Sequence, residues 1–262
     1  MAETKTAVAN KPVWVDLASS DAAASRDFYS KLFGWKIEVN PDPQYGGYGI
    51  ANVGSEQVAG IGPKQSPEAP TAWSLYIGTE DADGLAGKVQ KAGGKVIAPP
   101  FSVGAGENAQ GKMAVFQDPT GAFISAWEPK QMGGFTSNVA NAFGWAELNA
   151  RGVEQALPFY KNVFGWDVKK SEMGEGMPPY NEFQLQGESV AGGTEMMPMV
   201  PAEVPSYWLV YFAVDDVDSS FKKATANGAQ ELMGPSDFPG GRFAIVRDPQ
   251  GAAFGLLKMQ PR

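Results

Sequence analysis

Two carboxylates stand at equivalent places in this chain of 262 residues: Asp16 in Trp14-Val15-Asp16 and Glu147 in Trp145-Ala146-Glu147. Each follows a tryptophan by two residues, and in an extended strand that spacing puts both side chains on one face. A carboxyl beside large aromatic side chains is disposed to general acid or base work. The alternative is that each only hydrogen-bonds nearby backbone.

Composition narrows the chemistry. The chain has no cysteine and no histidine. That removes disulfides, thiolate nucleophiles, imidazole acid–base catalysis and the common zinc and iron sites. A metal would have only Asp, Glu, carbonyl oxygen and water to hold it, a set suited to magnesium, calcium or manganese. Asp16 and Glu147 alone supply too few ligands, so no metal and no cofactor are expected. Formal net charge is -8, which argues against nucleic acid or an anionic membrane as partner. No apolar run is long enough to span a bilayer. Met1 to Lys11 is polar and lacks an apolar secretion core, so it reads as a loose arm on a cytoplasmic protein.

The carboxylates belong to a repeat. Phe28-Tyr29-Ser30-Lys31-Leu32-Phe33-Gly34-Trp35 returns as Phe159-Tyr160-Lys161-Asn162-Val163-Phe164-Gly165-Trp166, and Asp118-Pro119-Thr120-Gly121-Ala122 returns as Asp248-Pro249-Gln250-Gly251-Ala252. The motifs lie 90 and 89 positions apart in the two copies. The chain is therefore expected to hold two modules, 1–131 and 132–262, with 129–141 as linker. In the first, Pro12 to Ser19 reads as a strand and Asp21 as the cap of a helix from Ala22 to Phe33 that Gly34 ends. Short strands follow, then Trp73 to Gly78, a helix from Asp81 to Ala92, and strands at Lys95 to Ile97, Met113 to Gln117 and Phe123 to Glu128. The second module repeats this order. Each module is a paired βαβββ arrangement, an α+β class with mixed sheets and helices on the outer face.

These motifs resemble the vicinal oxygen chelate superfamily of glyoxalase I, extradiol dioxygenases and bleomycin-resistance proteins. The resemblance rests on the strand-to-helix start at Trp14 to Asp21, the Phe-Tyr-x-x-x-Phe-Gly-Trp helix ends, the acidic helix starts at Glu80 to Asp83 and Asp215 to Asp218, and the Asp-Pro-x-Gly turns. Within that superfamily the chain looks most like two-module actinobacterial members of the glyoxalase or hydroxylase type. It implies sheets curled into cups with the ligand inside. It also marks six places for metal ligands, here Trp14, Ser74 and Ser125, then Trp145, Leu209 and Gly255, none of which is an ordinary metal ligand.

By alternation, Trp14, Tyr76, Phe123 and Trp127 line the first cup, and Trp145, Tyr211 and Leu257 the second. Ser125 and Gly255 are small and are expected to leave volume open. Aromatic walls over a small floor suit a flat hydrophobic ligand, or they fill a core. Tyr76 and Tyr211 can donate to a ligand oxygen. Lys112 and Arg242, each after a glycine, are placed to clamp a ligand carboxylate, unless they pair with surface acids. Trp73 and Trp208 fall on the opposite face. The loops Val103 to Gly111 and Pro235 to Gly241 read as mobile flaps, and Met196, Met197 and Met199 as an adaptable apolar cluster. Three functions stand: a metal-free binder of a small aromatic or hydrophobic compound, a metal-independent lyase, isomerase or hydroxylase-like enzyme using carboxylates and tyrosines, or an interaction protein with vestigial cups. A monomer or a homodimer fits each.

Overall fold

The computed structural model describes residues 9–135, 139–172, 179–198 and 200–260. Met199 and parts of the expected arm and linker lie outside these. The first sheet takes β1 (Pro12–Ser19), β2 (Lys36–Val39), β3 (Gly49–Val53), β4 (Glu56–Pro63), β5 (Ala72–Gly78), β6 (Lys95–Val103), β7 (Gly111–Gln117) and β8 (Phe123–Pro129), with helices α1 (Ala22–Phe33) and α2 (Ala82–Lys91). The second takes β9 (Phe143–Ala150), β10 (Asp167–Ser171), β11 (Tyr180–Leu185), β12 (Glu188–Glu195), β13 (Tyr207–Ala213), β14 (Gln230–Phe238), β15 (Gly241–Arg247) and β16 (Ala253–Met259), with α3 (Val153–Phe164) and α4 (Val217–Ala226). Strand order is β2-β3-β4-β1-β5-β8-β7-β6 in one and β10-β11-β12-β9-β13-β16-β15-β14 in the other. β1 with β4 and β5 with β8 run parallel, while the hairpin neighbours run antiparallel. Both sheets are thus mixed and open, and the class is α+β.

Local sequence accounts for the elements. Asp21 Oδ1 accepts from the Ala24 N–H at 3.0 Å, and Gly34 closes α1 at φ 73, a left-handed turn that glycine adopts without strain. Helix α3 starts differently. Gly152 precedes it with no side-chain cap, and the Glu195 carboxylate receives the Gly152 and Val153 N–H groups at 2.8 and 2.9 Å. That carboxylate at the helix start satisfies donors that would otherwise be orphaned.

Two strands are longer or newer than the sequence suggests. β6 runs on through Pro99-Pro100, and β14 forms across Gly234-Pro235. Both are the last strand of their sheet, where one side needs no ladder bonds, and both carry register shifts that absorb the breakers. The expected flaps are not free loops. Pro235 to Phe238 is strand, and Phe238 pairs with Gly241 across a tight turn. In the first loop the Gln110 carbonyl accepts the N–H groups of Lys130, Gln131 and Met132, each at 3.0 Å. Lys130 Nζ and Gln131 Nε2 also bind the Gly106 and Glu107 carbonyls.

By contacts the chain divides into two compact units. One comprises the described parts of Met1–Trp14, Leu75–Gly134 and Ala146–Trp208, and the other Val15–Ser74, Phe135–Trp145 and Leu209–Arg262. Each unit therefore joins half of one sequence repeat to half of the other. The repeated motifs explain the exchange. In the second unit Tyr29 donates to Asp248 Oδ2 at 3.0 Å and accepts from Trp73 Nε1 at 2.9 Å. In the first unit Tyr160 donates to Asp118 Oδ2 at 2.8 Å and accepts from Trp208 Nε1 at 2.9 Å. Each Asp Oδ1 holds its own Asp-Pro-x-Gly turn, Asp248 through the N–H groups of Gln250 and Ala252 and Asp118 through those of Thr120 and Ala122.

The tryptophan that ends each motif stacks on the same tyrosine, Tyr29 with Trp35 at 5.7 Å and Tyr160 with Trp166 at 5.6 Å. Its indole N–H then reaches across the repeat, Trp35 to the Asn141 carbonyl at 2.6 Å and Trp166 to the Asn10 carbonyl at 2.7 Å. Aromatic packing completes each core, with Phe33 on Phe212 at 5.1 Å and Trp166 on Phe183 at 5.4 Å.

Both bridging phenols are fully buried, and burial, followed by the nearby aspartate, pushes each well above the ordinary tyrosine value. The folded state then keeps protons that the unfolded chain releases near pH 10. Stability from this source is complete below that pH and is lost as pH rises toward the folded values. Alkaline titration followed by tyrosinate absorbance should show Tyr29 and Tyr160, of eight tyrosines, ionising only together with loss of circular dichroism. Ionisation of all eight before any unfolding would contradict this.

Candidate functional site

The two carboxylates of the repeat sit in matching frameworks, one in each unit. In the second unit Asp16 on β1 lies in register with Gly60 on β4, and Gly60 lies opposite Ile50 on β3. Val13, Val15 and Leu17 are buried on the other face of β1, so the half-buried Asp16 is on the open side of the alternation. Tyr48 precedes β3 and lays its ring along Gly60 and Gly62. A Cβ at Gly60 would stand 1.7 Å from the Tyr48 hydroxyl oxygen, and one at Gly62 2.8 Å from the ring. The hydroxyl donates to Asp16 Oδ2 at 3.3 Å.

In the first unit Glu147 on β9 lies in register with Gly192 on β12, and Gly192 lies opposite Glu182 on β11. Tyr180 repeats the arrangement, since a Cβ at Gly192 would stand 1.8 Å from its hydroxyl oxygen. Asn149 Nδ2 donates to Glu147 Oε1 at 3.4 Å. The recurring unit is thus a carboxylate, a glycine and a tyrosine whose hydroxyl occupies the space that the glycine lacks a side chain to fill. A half-buried carboxylate with a phenol donating to it presents acceptor oxygens and a proton-transfer pair to a bound molecule.

The glycines were legible in principle. Val58-Ala59-Gly60 returns as Val190-Ala191-Gly192, a third and shorter repeat. Only the close approach of ring to backbone gives it meaning. A direct check is Gly192→Ala. The new methyl group meets the far end of a flexible side chain, so the ring swings away and the fold persists. Circular dichroism should be unchanged while ligand affinity drops by about tenfold or more. Unaltered affinity would remove Tyr180 from the site.

Trp14, Tyr76, Lys112, Ser125 and Trp127 belong to the first unit, and Trp145, Tyr211, Arg242 and Gly255 to the second. Tyr76 pairs in register with Ser125, and Tyr211 with Gly255. Gly255 does not leave open volume as expected. The Tyr211 ring lies on it, with its Cδ1 1.9 Å from where a Cβ would stand. Trp127 donates from Nε1 to the Met132 carbonyl at 2.9 Å, and its ring lies against Gly111.

Lys112 Nζ is 2.7 Å from Asp83 and 3.7 Å from Glu128. Its hydrogen bond to Asp83 holds the ammonium above its ordinary value. Arg242 is more fully engaged, with Nε and Nη2 on Asp218 at 2.7 and 2.9 Å and Nη1 on Asp237 at 2.9 Å. The Asp218 bond raises the guanidinium further and lowers the Asp218 carboxyl. Trp73 and Trp208 are buried beside the bridging tyrosines, and Met196 is buried with its N–H on the Ala150 carbonyl.

The six places that the resemblance marks for metal ligands do not fit a metal centre. They are two tryptophans, two serines, a leucine and a glycine, and at Gly255 a tyrosine ring takes the room a ligand side chain would need. Among the described residues no three acidic side chains converge.

Comparisons with known proteins agree with this architecture. A model for the Glyoxalase/Bleomycin resistance protein/Dioxygenase superfamily matches residues 11–125 and again 142–256. The putative glyoxylase CFP32 of Mycobacterium tuberculosis is 39% identical over 257 residues, covering 96% of this chain and 95% of that one. The anthracycline biosynthesis protein DnrV of Streptomyces peucetius is 34% identical over 264 residues, covering 95% and 93%. Among solved structures, a Mn(II)-bound glyoxalase from Novosphingobium aromaticivorans superposes with a TM-score of 0.65 at 17% identity, covering 95% of this chain and 82% of that one. That likeness concerns the fold.

Proposed function

Because the chain belongs to the glyoxalase/bleomycin resistance/dioxygenase superfamily, we propose that it is a metal-independent member that binds a flat, largely apolar compound through its carboxylate–tyrosine pairs. The observation that carries this reading is the Tyr48 hydroxyl on Asp16, repeated in form by Tyr180 over Gly192 beside Glu147. A repeated polar pair on the half-open face of each central strand supplies orientation, and exposed apolar surface in the same unit is available for affinity. Within the first unit Ile97, Phe101 and Phe123 are large hydrophobics left exposed, and within the second Leu232, Met233 and Met259. Such surface suits an aromatic ligand. DnrV, a relative matched over 93% of its length, is named for anthracycline biosynthesis, and we take compounds of that class as candidate ligands of this chain.

The test is native mass spectrometry of the purified protein, with elemental analysis of the same sample and titration against anthracyclinone-type polycycles. A bound organic mass without stoichiometric metal, or saturable binding with the ligand recovered unchanged, supports the proposal. A stoichiometric divalent metal would overturn its metal-independent part.

A second reading has its own support. A carboxylate hydrogen-bonded to a phenol is a proton-transfer pair, and a relative at 39% identity is named a putative glyoxylase. In that reading Asp16 or Glu147 accepts a proton from carbon and the tyrosine polarises the adjacent carbonyl. Recovery of an altered ligand would favour it.

A further inference from the structure

The two carboxylate–tyrosine sites have the same backbone and different surroundings. We propose, resting on the binding reading above, that they select different ligand groups: the Glu147 face takes a ring rich in hydrogen-bond donors, polyhydroxylated or amino-substituted, while the Asp16 face takes a mostly apolar ring with a single donor.

Equivalent positions carry the argument. In the second unit the row across the strands is Asp16, Gly60 and Ile50. In the first it is Glu147, Gly192 and Glu182. An isoleucine side chain thus stands where the other site has a carboxylate. One step along, Ala18 lies opposite Gly62 in the second unit, whereas Asn149 lies opposite Thr194 in the first. The replacements are all in one direction, from apolar or absent side chains to polar ones, and Glu182, Asn149 and Thr194 are all half-exposed.

The polar face is organised. Glu182 Oε1 accepts from the Ser189 hydroxyl and from Gln184 Nε2 at 3.3 Å, and Asn149 holds Glu147 Oε1. With the Tyr180 hydroxyl held over Gly192 between the two glutamates, the row alternates acceptor, phenol and acceptor. Groups already oriented lose less entropy on binding. Gly62 has a further consequence. It lets the Tyr48 ring lie flat over both glycines, which adds apolar surface to the Asp16 face. Thr194 stands at the corresponding position in the other site, so a polar side chain replaces the bare backbone there.

The test uses an aminoglycosylated anthracycline, its N-acetylated form and its sugar-free aglycone as matched probes, followed by calorimetric titration. Glu182→Ile should reduce affinity for the glycoside by about tenfold or more and leave aglycone affinity within about twofold. Ile50→Glu should raise the number of glycoside sites from one to two. The N-acetylated probe separates the sources of the donors: loss of binding assigns the ammonium, and retention assigns the ring hydroxyls. An unchanged glycoside-to-aglycone ratio in both variants, with binding intact, overturns this inference and leaves the binding reading standing. No binding of any probe to wild type overturns both.

Discussion

Asp248→Ala is expected to lower folding stability by about 3–5 kcal/mol, because the substitution strands buried donors at about 1–3 kcal/mol each. The carboxylate accepts the Gln250 and Ala252 N–H groups and the Tyr29 hydroxyl, and that hydroxyl in turn accepts from Trp73. Asp248 itself is nearly inaccessible, and burial holds its carboxyl above the ordinary value. These bonds offset the cost of burying the charge. Tyr29→Phe removes fewer contacts and should cost roughly 2 kcal/mol. The double variant should cost less than the sum, with a coupling of about 1–3 kcal/mol. Urea unfolding followed by tryptophan fluorescence gives all three numbers. A loss below about 0.5 kcal/mol for Asp248→Ala would mean that the turn and the helix are held together by apolar packing alone. Asp118→Ala with Tyr160→Phe should repeat the pattern in the other unit.

The largest functional effect is expected from Asp16→Asn combined with Glu147→Gln. An amide keeps the size of the side chain and weakens the charge-assisted bond to a ligand donor, worth about 1.5–3 kcal/mol per site. Affinity for the ligand should therefore fall by roughly 10- to 100-fold at each site, while the unfolding midpoint stays close to wild type because both residues are half-exposed. Single variants separate the two sites. If the protein turns its ligand over, the same substitutions should abolish the rate with modest change in binding. Full affinity and full turnover in the double variant would remove both carboxylates from the site.

Much of the fold was legible in the residues. The Phe-Tyr-x-x-x-Phe-Gly-Trp and Asp-Pro-x-Gly repeats, the aspartate caps and the alternation of β1 each encode a local geometry, and local geometry is what sequence reports directly. The strands β6 and β14 were less legible because Pro99-Pro100 and Gly234-Pro235 interrupt them, and only their edge positions make that tolerable. Of the candidate site, the paired carboxylates Asp16 and Glu147 could be found by counting residues. Their tyrosine partners could not, since Tyr48 and Tyr180 meet them only after β3 and β11 fold back along glycines that have no side chain to keep a ring away.

The residues alone dictate the duplicated α+β architecture and a set of side chains without histidine or cysteine. Which partners meet is set by the folded chain. Tyr29 and Asp248 lie far apart in the chain, as do Tyr160 and Asp118, yet each bridge closes inside one compact unit. A repeat is symmetric in sequence, so a helix from one copy matches the turn of either copy. The choice between them is made by packing around the buried hydroxyl, which no local pattern records.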